Sequence, residues 1–353
     1  MKFLFLCASL IVLGQPLAAC TRALYTGTDN LVITGRSMDW HEDMGSNLWV
    51  FPRGMKRDGA AGSNSIQWKS NYGSLIVSGY EAGTADGMNE KGLVANILYL
   101  AESNYGSSTN KPRLSNAAWG QYVLDNYATV SEAVEELSKE PFQIVAPLLP
   151  NGSPAQFHLA ISDPSGDSAI FEYVDGQLVI HHGKQYVVQT NSPTYDQQLA
   201  LNTYWKEIGG NVFLPGTSRP ADRFARASFY IGAIPKNADP KLITAVPDQK
   251  FLFQAAASVL SVMRSVSVPL GISTPGQPNI ASTLWRTVSN QKDKIYYFDS
   301  ATSPNGFWVP LADLDFNEGS PVKKLEVAGG KVYAGNASLN FVAAEPFKFL
   351  PAK

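Results

Sequence analysis

Residues 20–39 of the chain read CTRALYTGTDNLVITGRSMD. Residues 21–25 and 31–34 are rich in residue types that favour strands, and residues 26–30 form a cluster of Thr, Gly, Asp and Asn that is typical of a turn. The stretch therefore predicts a β-hairpin. If the hairpin folds about residues 28 and 29, residue 26 lies opposite residue 31, which brings Arg36 and Ser37 beside Cys20.

Arg36 is then the nearest predicted cation to the Cys20 thiol. A guanidinium in this place favours the thiolate and lowers the pKa of the thiol. Asp39, three residues further on, is placed to orient either Arg36 or a free amine on Cys20. The alternative is an ordinary surface pair of Arg36 and Asp39 at the end of a hairpin.

The residues before Cys20 have the order of a bacterial export signal. Met1 and Lys2 give a positive end, residues 3–14 are almost wholly apolar, and residues 15–19, QPLAA, lead to Cys20. We predict that residues 1–19 are a signal peptide and that residues 20–353 form a single domain, periplasmic or secreted. Cys7 lies inside the leader, so the mature chain keeps one cysteine and forms no internal disulfide.

Cys20 has two fates that exclude each other. Residues 17–20, LAAC, fit a lipoprotein box, in which lipids modify both the thiol and the amine and anchor the chain to a membrane. In the other fate the terminus stays free, the sulfur attacks an amide carbonyl, and the amine serves as the general base. The leader alone favours the lipid anchor, because Leu17 is larger than an Ala-x-Ala cleavage pattern prefers. The residues downstream favour the nucleophile.

The composition is that of a globular protein with a large core. Of 353 residues, 44% are apolar, and 28 basic against 30 acidic residues give a net charge of −2. No basic cluster is present that would bind nucleic acid, and no second apolar run would span a bilayer. We predict no metal site and no cofactor, because no histidine has a Cys or His partner at ligand spacing. The histidines are His41, His158, His181 and His182.

Apolar and alternating runs predict the order of strands and helices. Strands are expected at residues 48–51, 74–77, 93–99, 157–162, 169–174, 177–182, 186–189, 282–288, 294–298 and 306–309. Helices are expected at residues 116–126, after a capping box at residues 129–132, and at residues 221–231 and 251–264. His158 is expected to be a strand residue and not a catalyst. This order indicates an α+β fold with two sheets face to face and helices outside.

Further motifs follow the hairpin in a fixed order. They are Gly35-Arg36-Ser37-Met38-Asp39, Ala85-Asp86-Gly87-Met88-Asn89-Glu90-Lys91-Gly92-Leu93, Ile161-Ser162-Asp163, Thr190-Asn191-Ser192-Pro193-Thr194-Tyr195 and Pro220-Ala221-Asp222-Arg223-Phe224. With Cys20-Thr21 before them, these motifs make nearly the whole mature chain resemble the cholylglycine hydrolases. That family comprises bile salt hydrolases and penicillin V acylases, which are cysteine amidases with an N-terminal nucleophile.

The resemblance implies a four-layer αββα fold and assigns the residues around the nucleophile. Cys20 matches the nucleophile itself, and Arg36 and Asp39 match the pair that holds it. Arg223 matches a second arginine near the thiol, although it could instead cap or pair on the helix that starts near Pro220.

The resemblance also assigns the groups that stabilise the oxyanion. Asn191 matches a side chain that donates to it, and the backbone amide of Tyr99 matches a second donor; such preorganised donors are what a tetrahedral intermediate needs. Asn191 could instead build an Asx turn before Pro193. Tyr99 stands where typical bile salt hydrolases have Asn and penicillin V acylases have Tyr.

Aromatic residues indicate a pocket for an apolar or aromatic acyl group. Trp40 is the first candidate because it follows Asp39 directly. The others are Trp49, Tyr80, Tyr99 and Trp119, of which Trp119 is at core spacing. The chain resembles Gram-negative penicillin V acylases most, relatives of which also cleave N-acyl homoserine lactones. Conjugated bile salts are the alternative substrate, and a lipid-anchored binding protein without activity is the alternative of another class. The resemblance further implies that the chain can form homotetramers.

Overall fold

A computed structural model describes residues 20–107, 110–272 and 281–352. The predicted signal peptide, residues 1–19, lies outside these ranges. Within them, no helix is both long enough and apolar enough to cross a membrane.

Short strands and a few helices make up the described chain. The strands of the first half are β1 (Thr21–Thr26), β2 (Val32–Trp40), β3 (Leu48–Phe51), β4 (Lys56–Asp58), β5 (Gln67–Lys69), β6 (Ser74–Gly79), β7 (Gly83–Asn89), β8 (Val94–Tyr99), β9 (Arg113–Ser115) and β10 (Gln143–Val145). They are followed by β11 (Phe157–Ser162), β12 (Ser168–Val174), β13 (Gln177–His182), β14 (Val188–Gln189), β15 (Ser282–Asn290), β16 (Ile295–Ser300), β17 (Gly306–Pro310), β18 (Lys323–Leu325), β19 (Gly335–Asn336) and β20 (Val342–Ala343). The helices are α1 (Trp119–Asn126), α2 (Val130–Leu137), α3 (Tyr195–Ile208), α4 (Pro220–Ala233) and α5 (Phe251–Ser265).

Most of the strands form two large sheets that pack face to face, while β4 pairs with β5 and β9 pairs with β10 in two small ones. The first, here called the nucleophile sheet, has the order β14-β1-β2-β15-β16-β17-β19, and the second, here called the cleft sheet, has the order β13-β12-β11-β8-β7-β6-β3-β18-β20. An apolar core fills the space between them. Helices α4 and α5 cover the outer face of the nucleophile sheet, and α1 and α2 cover that of the cleft sheet. The expected αββα layering is therefore confirmed.

Strand β3 shows how the sequence builds these layers. Leu48 and Val50 face the core between the sheets, whereas Trp49 and Phe51 face the core beneath α1 and α2. Successive side chains on a strand point to opposite faces, so a strand that is covered on both sides has apolar residues at consecutive positions. This alternation places Trp49 outside the space between the sheets.

The predicted hairpin exists, but its predicted register is wrong by one residue. Thr26 pairs with Val32, and Thr21 pairs with Ser37. The turn has one residue more than we expected, because Asp29 and Asn30 adopt positive φ and Gly27 N–H donates to Leu31 O at 2.8 Å. A shift of one residue moves side chains to the other face of a strand. Arg36 therefore shares a face with Cys20, which the predicted register would not have allowed.

Several local predictions are confirmed, and one helix was missed. Thr129 and Glu132 form the expected capping box at the start of α2.

Helix α3 is the one that we did not predict. It has no apolar stripe, because it buries Tyr195 together with the polar residues Gln198 and Asn202. Hydrophobic periodicity therefore gave no signal for it.

Gly35 sets the closest approach between β2 and α5. A methyl group at this position would lie 2.7 Å from Met263 Cγ and 2.8 Å from Val259 Cγ1. Neither atom is the far end of a flexible side chain, and packed interiors leave little room for such a shift.

We predict that Gly35→Ala lowers the free energy of unfolding by about 1 to 3 kcal/mol, because it overpacks the contact with α5. Gly232→Ala in α4 is the matched control. A methyl group there meets no atom within 4 Å, and the change should raise stability by up to about 1 kcal/mol through helix propensity. Urea unfolding of both variants measures the difference; equal effects would contradict the close packing of Gly35.

Candidate active site

Cys20 lies at the start of β1 and is buried, with 2% of its surface exposed. It is the free cysteine of the described residues. Its Sγ lies 3.8 Å from Arg36 Nη2, 3.8 Å from Met38 Sδ and 4.0 Å from Asp39 O. The thiol therefore faces β2 of the same hairpin, and it also lines a cleft that opens between the sheets.

Arg36 is fully buried and has few partners of its own. Its Nη2 donates to Ile97 O at 2.7 Å, and its Cζ lies 4.6 Å above the ring of Trp285. The carboxylate of Asp86 faces the same region; Tyr296 Oη donates to one of its oxygens, and Asn96 Nδ2 donates to the other at 2.6 Å. Burial raises the pKa of Asp86, and the charge of Arg36 opposes that rise.

Arg36 lowers the pKa of the Cys20 thiol, as expected, but burial has the larger and opposite effect. Burial raises the pKa of the Cys20 thiol above its ordinary value. Arg36 and, more weakly, Arg223 act in the opposite direction, and the charge of Asp39 adds to the rise. The free-energy cost of removing a thiolate from water is larger than the stabilisation that the nearby cations provide. The sulfur is therefore a thiol at neutral pH and needs a proton acceptor before it can attack.

The Asn191 side chain joins the two sheets at Cys20. Its Oδ1 accepts from the Cys20 nitrogen at 2.6 Å and from Arg223 Nη2 at 2.8 Å, and its Nδ2 donates to Tyr99 O at 2.7 Å. An amide nitrogen carries two hydrogens, so one N–H of Asn191 remains for a further acceptor. The alternative of a mere Asx turn before Pro193 does not describe these contacts.

Arg223 reaches the site from α4. Its Nη1 donates to Cys20 O at 2.5 Å and to Thr21 Oγ1 at 2.6 Å. The same guanidinium lies 4.0 Å from Asp39 Oδ2. Arg223 thus fixes the first residues of β1 and does not only cap its own helix.

Asp39 lies on the opposite face of β2 from Arg36. Its Oδ1 accepts from Thr283 Oγ1 at 2.6 Å, and its nearest charged partner is Arg223. We expected Asp39 to orient Arg36 or the amine; the structure shows no hydrogen bond between Asp39 and Arg36 among the described contacts. Burial raises the pKa of Asp39 to about 6, although Arg223 and the bond from Thr283 lower it. Asp39 is therefore a carboxylate at neutral pH.

Tyr99 ends strand β8 beside Asn191. Leu100 N–H donates to Gln156 O, so the alternation of an antiparallel ladder directs the N–H and C=O of Tyr99 away from β11. The C=O is the one that accepts from Asn191. The Tyr99 N–H points to the same side, which is the position expected for a donor to a reacting oxygen near Cys20.

The cleft beside Cys20 has a volume of about 60 Å³. Trp40 and Tyr80 both line it, as predicted, and Trp40 Nε1 donates to Tyr80 Oη at 2.7 Å. Tyr80 adopts φ of 53° in the turn between β6 and β7, a costly conformation for a bulky residue, and its hydroxyl also donates to Glu42. Trp49 and Trp119 lie instead in the core under α1 and α2.

Relatives of known activity share this arrangement of strands and helices. A family described as "Linear amide C-N hydrolases, choloylglycine hydrolase family" matches residues 20–324. The chain belongs to this family. It is accordingly an amidohydrolase that acts on linear amides.

Individual relatives agree with this assignment. The chain is 50% identical to a penicillin V acylase from Pectobacterium atrosepticum, over 96% of this chain and 94% of the other. A solved penicillin V acylase from Agrobacterium tumefaciens is 55% identical, with a TM-score of 0.85 over 94% of this chain and 100% of that one. A bile salt hydrolase/transferase from Bifidobacterium longum is 23% identical over 84% of this chain and 97% of its own length. A variant of conjugated bile acid hydrolase from Clostridium perfringens, 22% identical, shares the fold with a TM-score of 0.70, over 89% of this chain and 99% of that one.

Some residues of the amidohydrolase site gave no usable signal in the sequence. Thr21 and Thr283 hold Arg223 and Asp39 through single hydroxyls, and Trp285 lies under Arg36. Asp86 belongs to the family motif at residues 85–93, but nothing in that motif indicated that Asp86 faces Arg36. In the described parts of the chain, no group of three or more His, Cys, Asp or Glu is arranged to hold a metal ion.

We predict that alkylation of Cys20 by iodoacetamide has a pH midpoint above 9.0, the ordinary value for a thiol, because only the thiolate reacts. Arg36→Gln should move the midpoint higher still, since it removes the cation that favours the thiolate. Stopped-flow alkylation between pH 6 and about 11 measures both midpoints.

Arg53→Gln is the control for this titration, because Arg53 is a partly exposed arginine that pairs with Glu90 away from the cleft lining. It should leave the midpoint unchanged. A midpoint that falls in Arg36→Gln would contradict the electrostatic role of Arg36.

Proposed function

We propose that the mature protein begins at Cys20 and hydrolyses amides of apolar or aromatic acids through an acyl-enzyme on the Cys20 sulfur. The observation that carries the proposal is the meeting of the Cys20 nitrogen, Asn191 and the Tyr99 peptide at one buried point beside an apolar cleft. The family match, which begins at residue 20, agrees with a chain that starts there.

The amine of Cys20 is the proposed general base. It would take the proton of the thiol, after which the sulfur attacks the amide carbonyl and the amine returns the proton to the leaving amine. A water then attacks the thioester and gives a proton to the same amine. The C–S bond breaks as the acid is released, and the amine returns its proton to the sulfur. Arg223 lies against Cys20 O. A guanidinium so close opposes a second positive charge on the amine.

Asn191 and Tyr99 are the proposed oxyanion donors. The second N–H of the Asn191 amide and the Tyr99 N–H both lie on the side of Cys20, where the carbonyl oxygen becomes negative. Arg36 supports the negative charge that passes through the sulfur, and Asp39 balances the charge of Arg223. Each oxyanion donor of this kind contributes about 3 kcal/mol to stabilisation of the transition state.

The cleft favours an apolar acyl group. Its lining is largely apolar and aromatic and includes Met38, Trp40, Tyr80, Leu149 and Phe157. We propose phenoxyacetyl amides such as penicillin V, or N-acyl homoserine lactones, as substrates. Conjugated bile salts are the alternative, and the 23% identical relative from Bifidobacterium longum supports them less strongly than the 50% identical penicillin V acylase supports the former.

We also propose that residues 1–19 export the chain to the periplasm and are then removed. The apolar run and the small residues before Cys20 support this location. A homotetramer stays a prediction of the family resemblance, and light scattering of the mature protein would measure it.

We predict that intact mass and N-terminal sequencing of the mature protein show an unmodified Cys20 at the terminus, and that Cys20→Ala loses amidase activity completely. A thioether-linked lipid on Cys20 would identify the chain as a lipid-anchored binding protein instead. Full amidase activity in Cys20→Ala would refute the nucleophile, whatever the state of the terminus.

We predict that penicillin V or an N-acyl homoserine lactone is cleaved with a higher kcat/KM than glycine-conjugated bile salts at equal enzyme concentration. Trp40→Ala should lower kcat/KM for the phenoxyacetyl substrate about tenfold or more, because an aromatic contact in the cleft is lost. Trp308→Ala is the control, since Trp308 is 38% exposed and lies outside the cleft lining. Higher kcat/KM for bile salts would reverse the proposed substrate order.

A further inference from the structure

His158 is a buried titratable residue that the proposed mechanism does not use. It lies in β11, as expected, opposite Leu98 of β8, and it is 1% exposed. Its Nε2 lies 2.9 Å from Thr190 O, and its Nδ1 lies 2.8 Å from Glu172 Oε1. The other oxygen of Glu172 accepts from Tyr195 N–H at 2.9 Å. The contacts of this pair therefore end on the residues that flank Asn191.

The partners of His158 decide where its protons lie. A carbonyl oxygen only accepts, so Nε2 carries a hydrogen. Burial raises the pKa of Glu172, but four effects together lower it below its ordinary value. They are, in decreasing order, the hydrogen bond from His158, the charge of His158, the bond from Tyr195 N–H and the charge of His181. The ionised Glu172 only accepts as well, which gives Nδ1 a hydrogen too. Both ring nitrogens therefore donate, Nε2 to Thr190 O and Nδ1 to Glu172 Oε1.

This pair ties residues 190–195, here called the Asn191 segment, to the cleft sheet. Gln198 Nε2 also donates to Asn191 O and Ser192 O, but Gln198 belongs to α3, which continues the chain from the segment. His158 belongs to β11, which pairs with the strand that ends at Tyr99. Fixing the segment to β11 therefore fixes the Asn191 amide relative to the Tyr99 peptide.

We propose that His158 and Glu172 are positioning residues, which hold residues 190–195 so that the Asn191 amide stays aligned with Cys20 and the Tyr99 N–H. The inference rests on the proposed function, because it concerns the same oxyanion donors. His158 is not among the residues that line the cleft, and its side chain bonds to Thr190 O and Glu172, so its effect on the reaction passes through Thr190 and Asn191.

Two conservative substitutions test the two hydrogen bonds of the His158 imidazole one at a time. Asn places its amide nitrogen near the position of Nδ1, so His158→Asn keeps a donor to Glu172 and loses the bond to Thr190 O. Gln places its amide nitrogen near the position of Nε2, so His158→Gln keeps the bond to Thr190 O and leaves Glu172 without its donor. Adding Glu172→Gln to His158→Gln removes that buried charge, and the carbonyl oxygen of the new amide can still accept from Tyr195 N–H.

We expect His158→Asn to lower kcat about 10- to 100-fold, less than the 100- to 1,000-fold that loss of an oxyanion donor itself causes, with KM changed by no more than about twofold. The aldehyde that carries the acyl chain of the best substrate forms a tetrahedral adduct with Cys20. Its affinity should fall by the same factor as kcat, whereas the affinity of the product acid, which has no tetrahedral centre, should stay unchanged. The double variant His158→Gln with Glu172→Gln should recover most of kcat.

His182→Asn is the matched control, because His182 forms a partly exposed pair with Asp167 at 2.8 Å in β13, away from Asn191. It should leave all of these quantities unchanged. Full kcat in a folded His158→Asn, or equal losses of aldehyde and product-acid affinity, would overturn the positioning role. Failure of both His158→Asn and the double variant to fold would overturn it too, because the pair would then serve the whole fold. An inactive wild-type protein would instead refute the proposed function.

Discussion

The side-chain amide of Asn191 is the point on which the site depends. Its oxygen accepts from the Cys20 nitrogen in the nucleophile sheet and from Arg223 in α4, and its nitrogen donates to Tyr99 in the cleft sheet. One planar group thus joins three layers of the fold, across 171 residues of sequence between Asn191 and Cys20. Because these atoms are buried, each bond that is lost leaves a polar group without water to replace it. The positions of Cys20, α4 and the end of β8 are therefore fixed together.

Burial of these side chains also determines the pKa values of the ionisable groups around Cys20. Arg22, Arg36 and Arg223 are all fully buried. Arg22 donates to Ser168 Oγ and Tyr186 O, both at 3.1 Å, and burial lowers its pKa to about 10. Arg223 has Asp39 beside it, while Arg36 has one carbonyl, one aromatic ring and a more distant carboxylate. Even with two guanidiniums nearby, the sulfur stays protonated, because the cost of desolvating a thiolate exceeds their attraction.

Much of the fold and most of the proposed site could be predicted from the sequence, since both rest on local patterns. The hairpin, the capping box of α2 and the alternation in β3 each follow from residues close together in the chain. The resemblance supplied Asn191, Arg223 and Tyr99, and the structure brings all of them to Cys20. Their catalytic roles stay predictions.

What the sequence could not supply depends on geometry between distant elements. The register of the hairpin changed because Asp29 and Asn30 adopt positive φ, which composition does not reveal. The partner of Asp39 changed as well, since Arg223 arrives from a helix 184 residues later in the chain. Helix α3 was missed because it buries polar side chains that bond to the Asn191 segment. Long-range hydrogen bonds determine these features, and the hydrophobic periodicity of the sequence does not predict such bonds.

Removal of residues 1–19 would change the chemistry of the Cys20 nitrogen. The chain described here carries residues 1–19, so the Cys20 nitrogen is a peptide N–H, yet it already donates to Asn191 at 2.6 Å. A peptide nitrogen has no basic lone pair, so it cannot take the proton of a thiol that burial keeps neutral. Under the proposed mechanism, cleavage before Cys20 would convert this one atom from a peptide nitrogen into an amine. The precursor would therefore be inactive for want of a base, with Arg223 and Asn191 already in place.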